Sequence, residues 1–488
     1  MGPHRLVARR YPTVDLKIRG HLRTLAVGGA KLSPMGEVQQ ADVVVVGLGV
    51  GGEEAAGRLA EVGLSVVGIE HTLLGGECPY WGCIPTKMMI RAGNALAEAR
   101  RIPGLAGTST VQPDWAPVAR RIRDEATDNW DDKVAVDRFT GKGGRFVRGR
   151  ATIVGPGRVK VEDQEYAASR GLVIATGTAA VIPPIDGLAG TPYWTNREAV
   201  EASSLPSTLL VLGGGSIGLE LSQVIARFGV RVTVIEGSDR LIAMEEPESS
   251  EIASAALARD GVEALTGVHA QRVSYSGDLF TVTLSDSSTV TGEKLLIATG
   301  RTARLGDLGL ETIGLDPSAR FLKTDDRMRA GDKVWGVGDV TGNGNFTHMA
   351  MYEADVAVRD ILGQGGPGAD YRARPRVTFT DPEIGAVGMT EKEARESGID
   401  VQVGFVKGPY TSRGFIHGPG NDGFIKVIAD RSRGVLVGAT STGPTGGEVV
   451  GALSLAVHAQ IPVSTLLSTI WAYPTFHRGI GDALKTLK

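Results

Sequence analysis

The sequence feature that most constrains the fold is a strand–glycine–helix–strand pattern that occurs twice. The first copy begins with an uninterrupted apolar strand at residues 41–46 and ends with an acid at the tip of a second strand. Its landmark residues are Gly47, Gly49, Gly52 and Glu70. Glycines at this spacing allow a pyrophosphate to approach the N-terminus of the following helix, and the acid can bind a ribose hydroxyl. The complete pattern is far more specific than the glycines alone, and it predicts a dinucleotide-binding site.

The second copy of the pattern begins with a strand at residues 209–212. Its landmark residues are Gly213, Gly215, Gly218 and Glu236. A glycine turn in an ordinary α/β sheet would explain either copy alone, but two copies in one chain favour two dinucleotide sites. Glu236 accepts a hydrogen bond from a free 2′-hydroxyl and repels a 2′-phosphate, which favours NAD over NADP. The nearby Arg240 would weaken this preference.

The only two cysteines, Cys78 and Cys83, lie between the two glycine patterns. Buried cysteines can simply pack as small apolar side chains. A disulfide here would close a very short loop and stabilise the chain little, and it would need a distorted turn because these positions point apart in a helix. Strained disulfides are easily reduced, so the pair predicts a redox-active disulfide. No second Cys/His cluster completes a zinc site, and we predict no bound metal.

Composition excludes several other functions. The net charge of -3 gives no indication of a nucleic acid partner, and no apolar run is long enough to span a membrane. Two cysteines in 488 residues are typical of a reducing compartment, so we expect a cytoplasmic protein. The first 34 residues carry seven basic side chains and one acidic side chain, and we predict that residues 1–40 form a disordered extension.

Further motifs accompany the cysteines. The segment at residues 75–87 is similar to the motif GGxCxxxGCxPSK, with Thr86 in the place of serine. Later segments are similar to other motifs of the same family in the expected order, at residues 175–177, 298–301, 336–339 and 380–383. Residues 41–488 therefore resemble the pyridine nucleotide–disulfide oxidoreductases, the family of dihydrolipoamide dehydrogenase and glutathione reductase.

The resemblance implies an α/β fold with two Rossmann-like dinucleotide-binding domains and a C-terminal α+β dimerisation domain. FAD would bind to residues 41–190 and 306–372, and NAD(P)H, with NAD favoured, would bind to residues 191–305. Residues 373–488 would form the interface of a homodimer. The further cofactor-binding residues that the resemblance implies are Thr176, Gly177, Gly300, Arg301, Gly338 and Asp339. Among these, Asp339 would bind the ribityl chain of the flavin.

The resemblance also implies roles for residues near the flavin. Cys83 would lie beside the flavin as a thiolate, and Cys78 would be the thiol that meets the acceptor. Lys87 and Glu220 match a lysine–glutamate pair of the family. The cation of such a pair stabilises negative charge on the reduced flavin, and the carboxylate holds the cation in position. For both residues, an ordinary solvated charge is the alternative.

The C-terminal segment departs from the family. Disulfide reductases carry a His-Pro-Thr-x-x-Glu segment that enters the active site of the partner subunit, where the histidine protonates the leaving thiol. Tyr473 and Arg478 replace this histidine and glutamate. A tyrosine, with an ordinary pKa of about 10, can donate a proton but is a poor base near neutral pH. His477 is either a displaced base or a structural residue.

We therefore predict an enzyme that passes electrons from NAD(P)H through FAD to the disulfide Cys78–Cys83 and then to a small-molecule acceptor. A tyrosine near the C-terminus also resembles mercuric reductases, but the C-terminal cysteine pair of those enzymes is missing here, which disfavours mercury. One alternative is a quinone reductase or diaphorase in which the flavin reduces the acceptor directly. Another is a non-catalytic flavoprotein. Tyr80 and Trp81, between the cysteines, either shape the acceptor pocket or pack in the core.

Overall fold

The computed structural model describes residues 37–488. Most of the predicted extension, residues 1–36, lies outside the described residues. The first strand begins at Gln39 rather than at residue 41, because Gln39 and Gln40 pair with Tyr166 and Ala167 of a neighbouring strand. The domain boundary at residue 40 stays a prediction.

Residues 37–488 form 22 strands and 14 α-helices. The strands are β1 Gln39–Val46, β2 Val66–Glu70, β3 Arg145–Arg148, β4 Ala151–Gly155, β5 Arg158–Val161, β6 Gln164–Ile174, β7 Thr178–Ala180, β8 Thr208–Leu212, β9 Arg231–Glu236, β10 Val262–Thr266, β11 Ala270–Ser276, β12 Leu279–Leu284, β13 Thr289–Gly292, β14 Lys294–Ile297, β15 Arg301–Ala303, β16 Arg329–Gly331, β17 Val334–Gly336, β18 Pro375–Thr378, β19 Glu383–Gly388, β20 Val401–Lys407, β21 Phe424–Asp430 and β22 Val435–Gly443. The α-helices are α1 Val50–Glu61, α2 Glu77–Tyr80, α3 Cys83–Arg101, α4 Ala116–Arg121, α5 Lys133–Gly141, α6 Asn196–Glu201, α7 Ser216–Arg227, α8 Pro247–Arg259, α9 Thr347–Ile361, α10 Glu391–Glu396, α11 Ser412–His417, α12 Gly446–His458, α13 Val463–Ser468 and α14 Arg478–Leu484.

The first sheet has the strand order β16–β17–β6–β1–β2–β3 and carries the first glycine loop at one edge. Strands β17, β6, β1, β2 and β3 run parallel to one another. Val46 pairs with both Ile69 and Ile174, so the loops that follow β1, β2 and β6 leave the sheet at the same edge. Strands β16 and β17 come from beyond the second glycine pattern, so two separate segments of the chain complete this sheet.

The second sheet, β10–β9–β8–β14, is also parallel and carries the second glycine loop. Helix α7 begins at Ser216, directly after the loop, and buries Leu219, Val224 and Ile225 in the largest apolar cluster. The strands β11, β12 and β13 form a separate antiparallel sheet. The short antiparallel pair β7–β15 brings Arg301 opposite Ala180, which joins the two parts of the chain near their glycine loops.

The third main sheet, β18–β19–β22–β21–β20, is entirely antiparallel. Helix α12 covers it and buries Val449, Val450 and Leu453 against the sheet. Two parallel α/β units followed by an α+β unit confirm the predicted fold class. The boundaries at residues 190, 305 and 372 stay predictions. Among residues 37–488, no helix has both the length and the apolar character needed to cross a bilayer.

Candidate functional site

A cleft of about 1490 Å³ collects predicted site residues from distant parts of the chain. Those that line it are Gly47, Gly49, Gly52, Glu70, Cys78, Cys83, Lys87, Thr176, Gly177, Glu220, Arg301, Gly338 and Asp339. We call it the cofactor cleft. Gly213, Gly215, Gly218, Glu236 and Gly300 do not line it, although Ser216 and Ile217 of the second loop do. Tyr473 and His477 do not line it either.

The first glycine loop leaves no room for side chains where the backbone turns. Gly47 has φ +91°, and a Cβ atom there would lie 2.5 Å from the carbonyl oxygen of Ala175. A Cβ atom on Gly52 would lie 2.0 Å from the carbonyl oxygen of Gly47. Both positions therefore require glycine, and helix α1 can start close to the sheet.

Glu70, at the end of β2, is held as a carboxylate. Its oxygens accept hydrogen bonds from the backbone N–H groups of Leu48, His71 and Thr72, at 2.9, 2.8 and 2.8 Å. Burial by itself raises the pKa, but hydrogen bonds from His71, Thr72 and Leu48 outweigh it and lower the pKa of Glu70 to about 2. A carboxylate has acceptor capacity beyond these bonds, so Glu70 can still bind a ribose.

The cofactor cleft fits FAD on an observation independent of the motifs. The buried hydroxyl oxygen of Thr176 has no hydrogen-bond partner among residues 37–488, and Thr176 lines the cleft. A buried hydroxyl without a partner is costly, so it predicts a polar ligand beside it. The Asp339 carboxylate accepts a hydrogen bond from Thr178 at 3.1 Å, and burial raises its pKa while Arg301 opposes that rise. Thr176 and Asp339 would hold polar groups of the flavin nucleotide.

The second glycine loop repeats the geometry of the first. Gly213 has φ +109°, and a Cβ atom on Gly218 would lie 2.0 Å from the carbonyl oxygen of Gly213. Glu236 accepts hydrogen bonds from the N–H groups of Gly214 and Ser238, at 2.6 and 2.7 Å. The loop is therefore shaped to receive a second dinucleotide.

The guanidinium of Arg240 is engaged by residues 242–250. Its guanidinium donates to the Ser250 hydroxyl at 2.6 Å and to the carbonyl oxygens of Ala243 and Glu245 at 2.6 and 2.9 Å. These bonds occupy the fork of donors that would otherwise recognise a 2′-phosphate.

The two cysteines lie on different helices, as the spacing predicts for a distorted turn. Cys78 lies on α2, which ends at Tyr80, and Cys83 is the first residue of α3. Both are free thiols in the structure. A hydrogen bond from Cys78 lowers the pKa of Cys83 to about 6, with further contributions from Thr347 and the Lys87 charge and with burial opposing them. The pKa of Cys78 is raised, first because of the same interaction and then because of burial.

Thr347 is a site residue that the sequence does not reveal. Its hydroxyl lies 3.3 Å from the sulfur of Cys83, and it begins helix α9. The two residues are 264 positions apart, and neither periodicity nor a motif connects them. Only its place shortly after the predicted flavin motif at residues 336–339 could have drawn attention to it.

Lys87 and Glu220 are brought together as predicted for the pair. The Lys87 ammonium donates to Glu220 Oε2 at 2.7 Å, and the other carboxylate oxygen accepts the N–H of Phe379 at 2.8 Å. Lys87 Nζ also lies 4.6 Å from the centre of the Phe379 ring. Glu220 is buried while Lys87 remains about one-third exposed, so the carboxylate anchors a cation that points into the cleft.

A second, smaller cavity of about 540 Å³ reaches residues 75–83, which we call the cysteine loop. Cys78 lines both cavities, whereas Cys83 lines only the cofactor cleft. The charged side chains around the second cavity are Glu53, Glu54, Glu125, Asp128, Asp131, Arg138 and Lys142. Glu53 pairs with Arg138 at 2.5 Å, and burial raises the pKa of Glu53. The carboxylates outnumber the cations, so the cavity is acidic.

Tyr80 and Trp81 are mainly packing residues. Both are buried in the largest apolar cluster, with 5% and 8% of their surface exposed. Tyr80 also lines the second cavity, and Trp81 lines the cofactor cleft. Burial raises the pKa of Tyr80 to about 12, and the carboxylates of Asp132 and Glu53 add to the rise. Tyr80 therefore stays protonated at neutral pH.

The C-terminal segment is remote from the cysteines within one chain. Tyr473 is 68% exposed, and its ring lies 5.3 Å from the guanidinium carbon of Arg478. Neither Tyr473 nor His477 lines either of the two cavities. A single chain therefore does not bring the predicted acid–base residues to Cys78.

The cleft has a glycine loop and a thiol pair in its lining, and Ser216 and Ile217 at the start of α7 extend it to the second loop, an arrangement typical of an oxidoreductase of the flavin and pyridine nucleotide class. The profile of the family "Pyridine nucleotide-disulphide oxidoreductase" matches residues 41–354, and that of its dimerisation domain matches residues 374–484. The chain belongs to this family. It is an FAD-dependent enzyme that uses NAD(P)H, as predicted.

Several known proteins are similar to the chain over most of its length. A dihydrolipoyl dehydrogenase from Halobacterium salinarum is 32% identical over 464 residues, which cover 91% of this chain and 95% of the relative. A mercuric reductase from Bacillus cereus is 31% identical over 452 residues, which cover 91% of this chain and 71% of the relative. The structure of the HOCl-induced flavoprotein disulfide reductase RclA from Escherichia coli matches with a TM-score of 0.81 and 26% identity, covering 92% of this chain and 100% of that one.

Proposed function

We propose that this enzyme transfers two electrons from NADH to a small-molecule acceptor through the pair Cys83–Cys78. The observation that carries the proposal is that Cys83 opens only onto the cofactor cleft, whereas Cys78 also opens onto the second cavity. In the first half of the cycle, the hydride of NADH and one proton convert the disulfide into two thiols and leave NAD⁺. In the second half, a disulfide acceptor exchanges with Cys78, re-forms Cys78–Cys83 and leaves as two thiols.

Residues around the cysteines support these separate roles of Cys83 and Cys78. Bound FAD supplies the two-electron carrier between the nicotinamide and the cysteines. Lys87, anchored by Glu220, places a cation where negative charge develops. Thr347 and Cys78 donate toward Cys83 and favour its thiolate. A thiolate is suitable at Cys83 because this residue faces the cofactor. Cys78 remains a protonated thiol until it loses its proton and attacks the acceptor.

We propose NADH rather than NADPH as the physiological donor. Glu236 stands at the tip of β9, and the donors of Arg240 are occupied by Ser250 and by backbone carbonyls. We expect Glu236→Gln to raise kcat/KM for NADPH relative to NADH by roughly tenfold, because a hydrogen bond to a charged group contributes about 1.5–3 kcal/mol. Arg240→Gln is the matched control and should leave the ratio unchanged. A fall in NADPH use in Arg240→Gln would contradict the assignment.

The second cavity suggests the class of acceptor. Its lining is mainly acidic, with five carboxylates against two cations. Among these side chains, Glu53, Glu125 and Lys142 have close partners of opposite charge, Arg138, Arg121 and Glu61, at 2.5, 3.2 and 3.4 Å. A negative cavity attracts cationic molecules and repels anionic ones. We therefore propose a neutral or cationic small disulfide, or a similarly charged electron-poor molecule, as the acceptor.

We also propose a homodimer and a cytoplasmic location. The matched dimerisation domain contains large exposed apolar side chains, among them Tyr410, Phe415 and Ile470, with 82%, 81% and 97% of their surface exposed. Sedimentation equilibrium at micromolar concentration tests the dimer, and a monomer there would contradict it.

The experiment that tests the electron path is an anaerobic titration of the purified enzyme with NADH, followed by visible absorbance. We expect uptake of two equivalents of reductant and a long-wavelength band from the Cys83 thiolate beside the flavin. Uptake of a single equivalent with a bleached flavin and no such band would contradict the path. The direct quinone reductase would then be favoured, and bound FAD without any turnover would indicate a non-catalytic flavoprotein.

A further inference from the structure

The short helix α6 holds the cysteine loop on the N-terminal side of Cys78. Asn196 Nδ2 donates to the Glu77 carboxylate and to the Trp81 carbonyl oxygen, both at 3.0 Å. Arg197 donates to Glu77 Oε1 through Nε at 2.8 Å and also through its terminal nitrogen. Glu77 is the residue directly before Cys78, so the ion pair acts on the backbone that carries this thiol.

The same helix holds the loop on the other side of Cys78. The indole N–H of Trp81 donates to Glu201 at 2.6 Å. The guanidinium of Arg197 lies 4.2 Å from the centre of the Trp81 ring, within the range of a cation–π contact. Arg197 therefore touches the residue before Cys78 and a residue between the two cysteines. Three side chains of one helix, Asn196, Arg197 and Glu201, thus hold the chain on both sides of a single thiol.

Helix α6 is itself anchored to the second sheet. The N–H of Trp194 donates to the carbonyl oxygen of Leu295 at 2.7 Å, and the N–H of Ile297 donates to the carbonyl oxygen of Trp194 at 2.8 Å. Thr195 caps the helix through a capping box with Glu198. Strand β14 pairs with β8, which leads into the second glycine loop. A continuous set of hydrogen bonds therefore joins the sheet of the second nucleotide site to the cysteine loop.

The exposure of the ion pair argues for positioning rather than for stability. The side chains of Glu77 and Arg197 retain 29% and 33% of their surface, and pairs at this exposure add little to folding stability. The Glu77 carboxylate also lies 3.8 Å from Arg301, which contacts Thr178 beside Asp339. The pair therefore sits between the predicted flavin-binding residues and the cysteines.

We propose that Arg197 and Glu201 are positioning residues that hold the cysteine loop so that the Cys78–Cys83 disulfide can accept electrons from the cofactor cleft. This inference rests on the proposed function, in which that disulfide carries the electrons. Neither residue belongs to a family motif recognised in the sequence. The proposed effect acts through the contacts of these residues with Glu77 and Trp81.

The test separates the two electron transfers in anaerobic stopped-flow experiments on the FAD-loaded enzyme. NADH reduces the flavin in one phase, and the two thiols then form in another, measured by rapid alkylation and mass spectrometry. In Arg197→Met, which keeps an apolar chain over Trp81, we expect an unchanged flavin phase. Thiol formation should slow by roughly tenfold to a hundredfold, because a displacement of about 1 Å can cost about a hundredfold in rate. Arg197→Lys, which keeps the charge without the two-pronged contact, should recover part of the loss.

Matched variants keep the test decisive. Glu201→Gln retains an acceptor for the Trp81 N–H and should behave as wild type, whereas Glu201→Leu removes it and should slow thiol formation. Arg272→Met removes an exposed ion pair with Asp186 in the same protein and should change neither phase. If Arg197→Met does not bind FAD, the Glu201 pair of variants and Glu77→Gln give the same comparison.

The possible outcomes distinguish the two proposals. No thiol formation in the wild type would overturn the proposed function itself. If thiols form normally in the wild type, and if Arg197→Met and Glu201→Leu form them at the wild-type rate, the positioning role alone would be overturned. Equal slowing of both phases would also overturn it, because a general structural defect does not act on one transfer selectively.

Discussion

The two cavities that meet at Cys78 are built from different kinds of sequence. The cofactor cleft is lined by the first glycine loop, the strand-end acid Glu70 and the Lys87–Glu220 pair, all of which fall within recognisable motifs. The second cavity is lined by carboxylates of α1 and of residues 125–131, together with Arg138 of α5 and Lys142 directly after it. These residues follow no motif. The cleft belongs to the cofactor machinery of the family, whereas we propose that the second cavity receives the acceptor. The identity of the cofactors can therefore be inferred from the sequence more directly than the identity of the acceptor.

The largest effect should come from removing the thiol that both cavities share. In Cys78→Ser, we expect reduction of small disulfides by NADH to fall by at least roughly a thousandfold, in the range seen when a nucleophile is removed. Direct reduction of a quinone by the flavin should survive, because it needs only the cofactor cleft. Steady-state assays with cystamine and with a benzoquinone make the comparison. If cystamine reduction persists in Cys78→Ser, the second cavity is not the route to the acceptor.

The next effect concerns the charge of the second cavity. We expect kcat/KM for the dication cystamine to exceed that for the dianion dithiodiglycolate by roughly tenfold or more at low salt, because a charged cleft changes association rates by about 10–10³. The preference should shrink at high salt and in the double variant Glu54→Gln/Asp131→Asn. Glu263→Gln, on the second sheet, is the control for loss of one carboxylate. Equal use of the two disulfides would show that the acidic lining does not select the acceptor.

The smallest effect should appear in the pH dependence of the thiolate. Because the pKa of Cys83 is lowered to about 6, the long-wavelength band of the reduced enzyme should be present above that pH and lost below it. Thr347→Val removes one hydrogen bond to the thiolate, so the band should need a higher pH, by roughly one to two pH units for a bond worth about 1.5–3 kcal/mol. Thr347→Ser keeps the hydroxyl and should titrate like the wild type. An unchanged midpoint in Thr347→Val would remove Thr347 from the site.

Most of the cofactor cleft was predictable because its signals are local. The order of strand, glycines, helix and acid is written in contiguous residues, and backbone geometry at Gly47 and Gly213 permits little else. The contacts of Cys83 with Thr347 and of Glu77 with Arg197 were not predictable, because they join residues 264 and 120 positions apart. The C-terminal residues Tyr473 and His477 stay predictions, since one chain does not bring them to the cysteines.

The sequence alone was enough to predict the two dinucleotide patterns, the redox role of the cysteine pair and membership in a family of flavoenzymes. Each of these depends on the identity of neighbouring residues, and local chain geometry is enough to express it. Only the tertiary structure decided that Cys78 opens onto two cavities, that one of them is acidic and that helix α6 holds the loop between them. Those properties arise when α1, α2, α5 and α6 pack around one short loop. Packing between distant segments depends on the whole fold, and no single stretch of the chain encodes it.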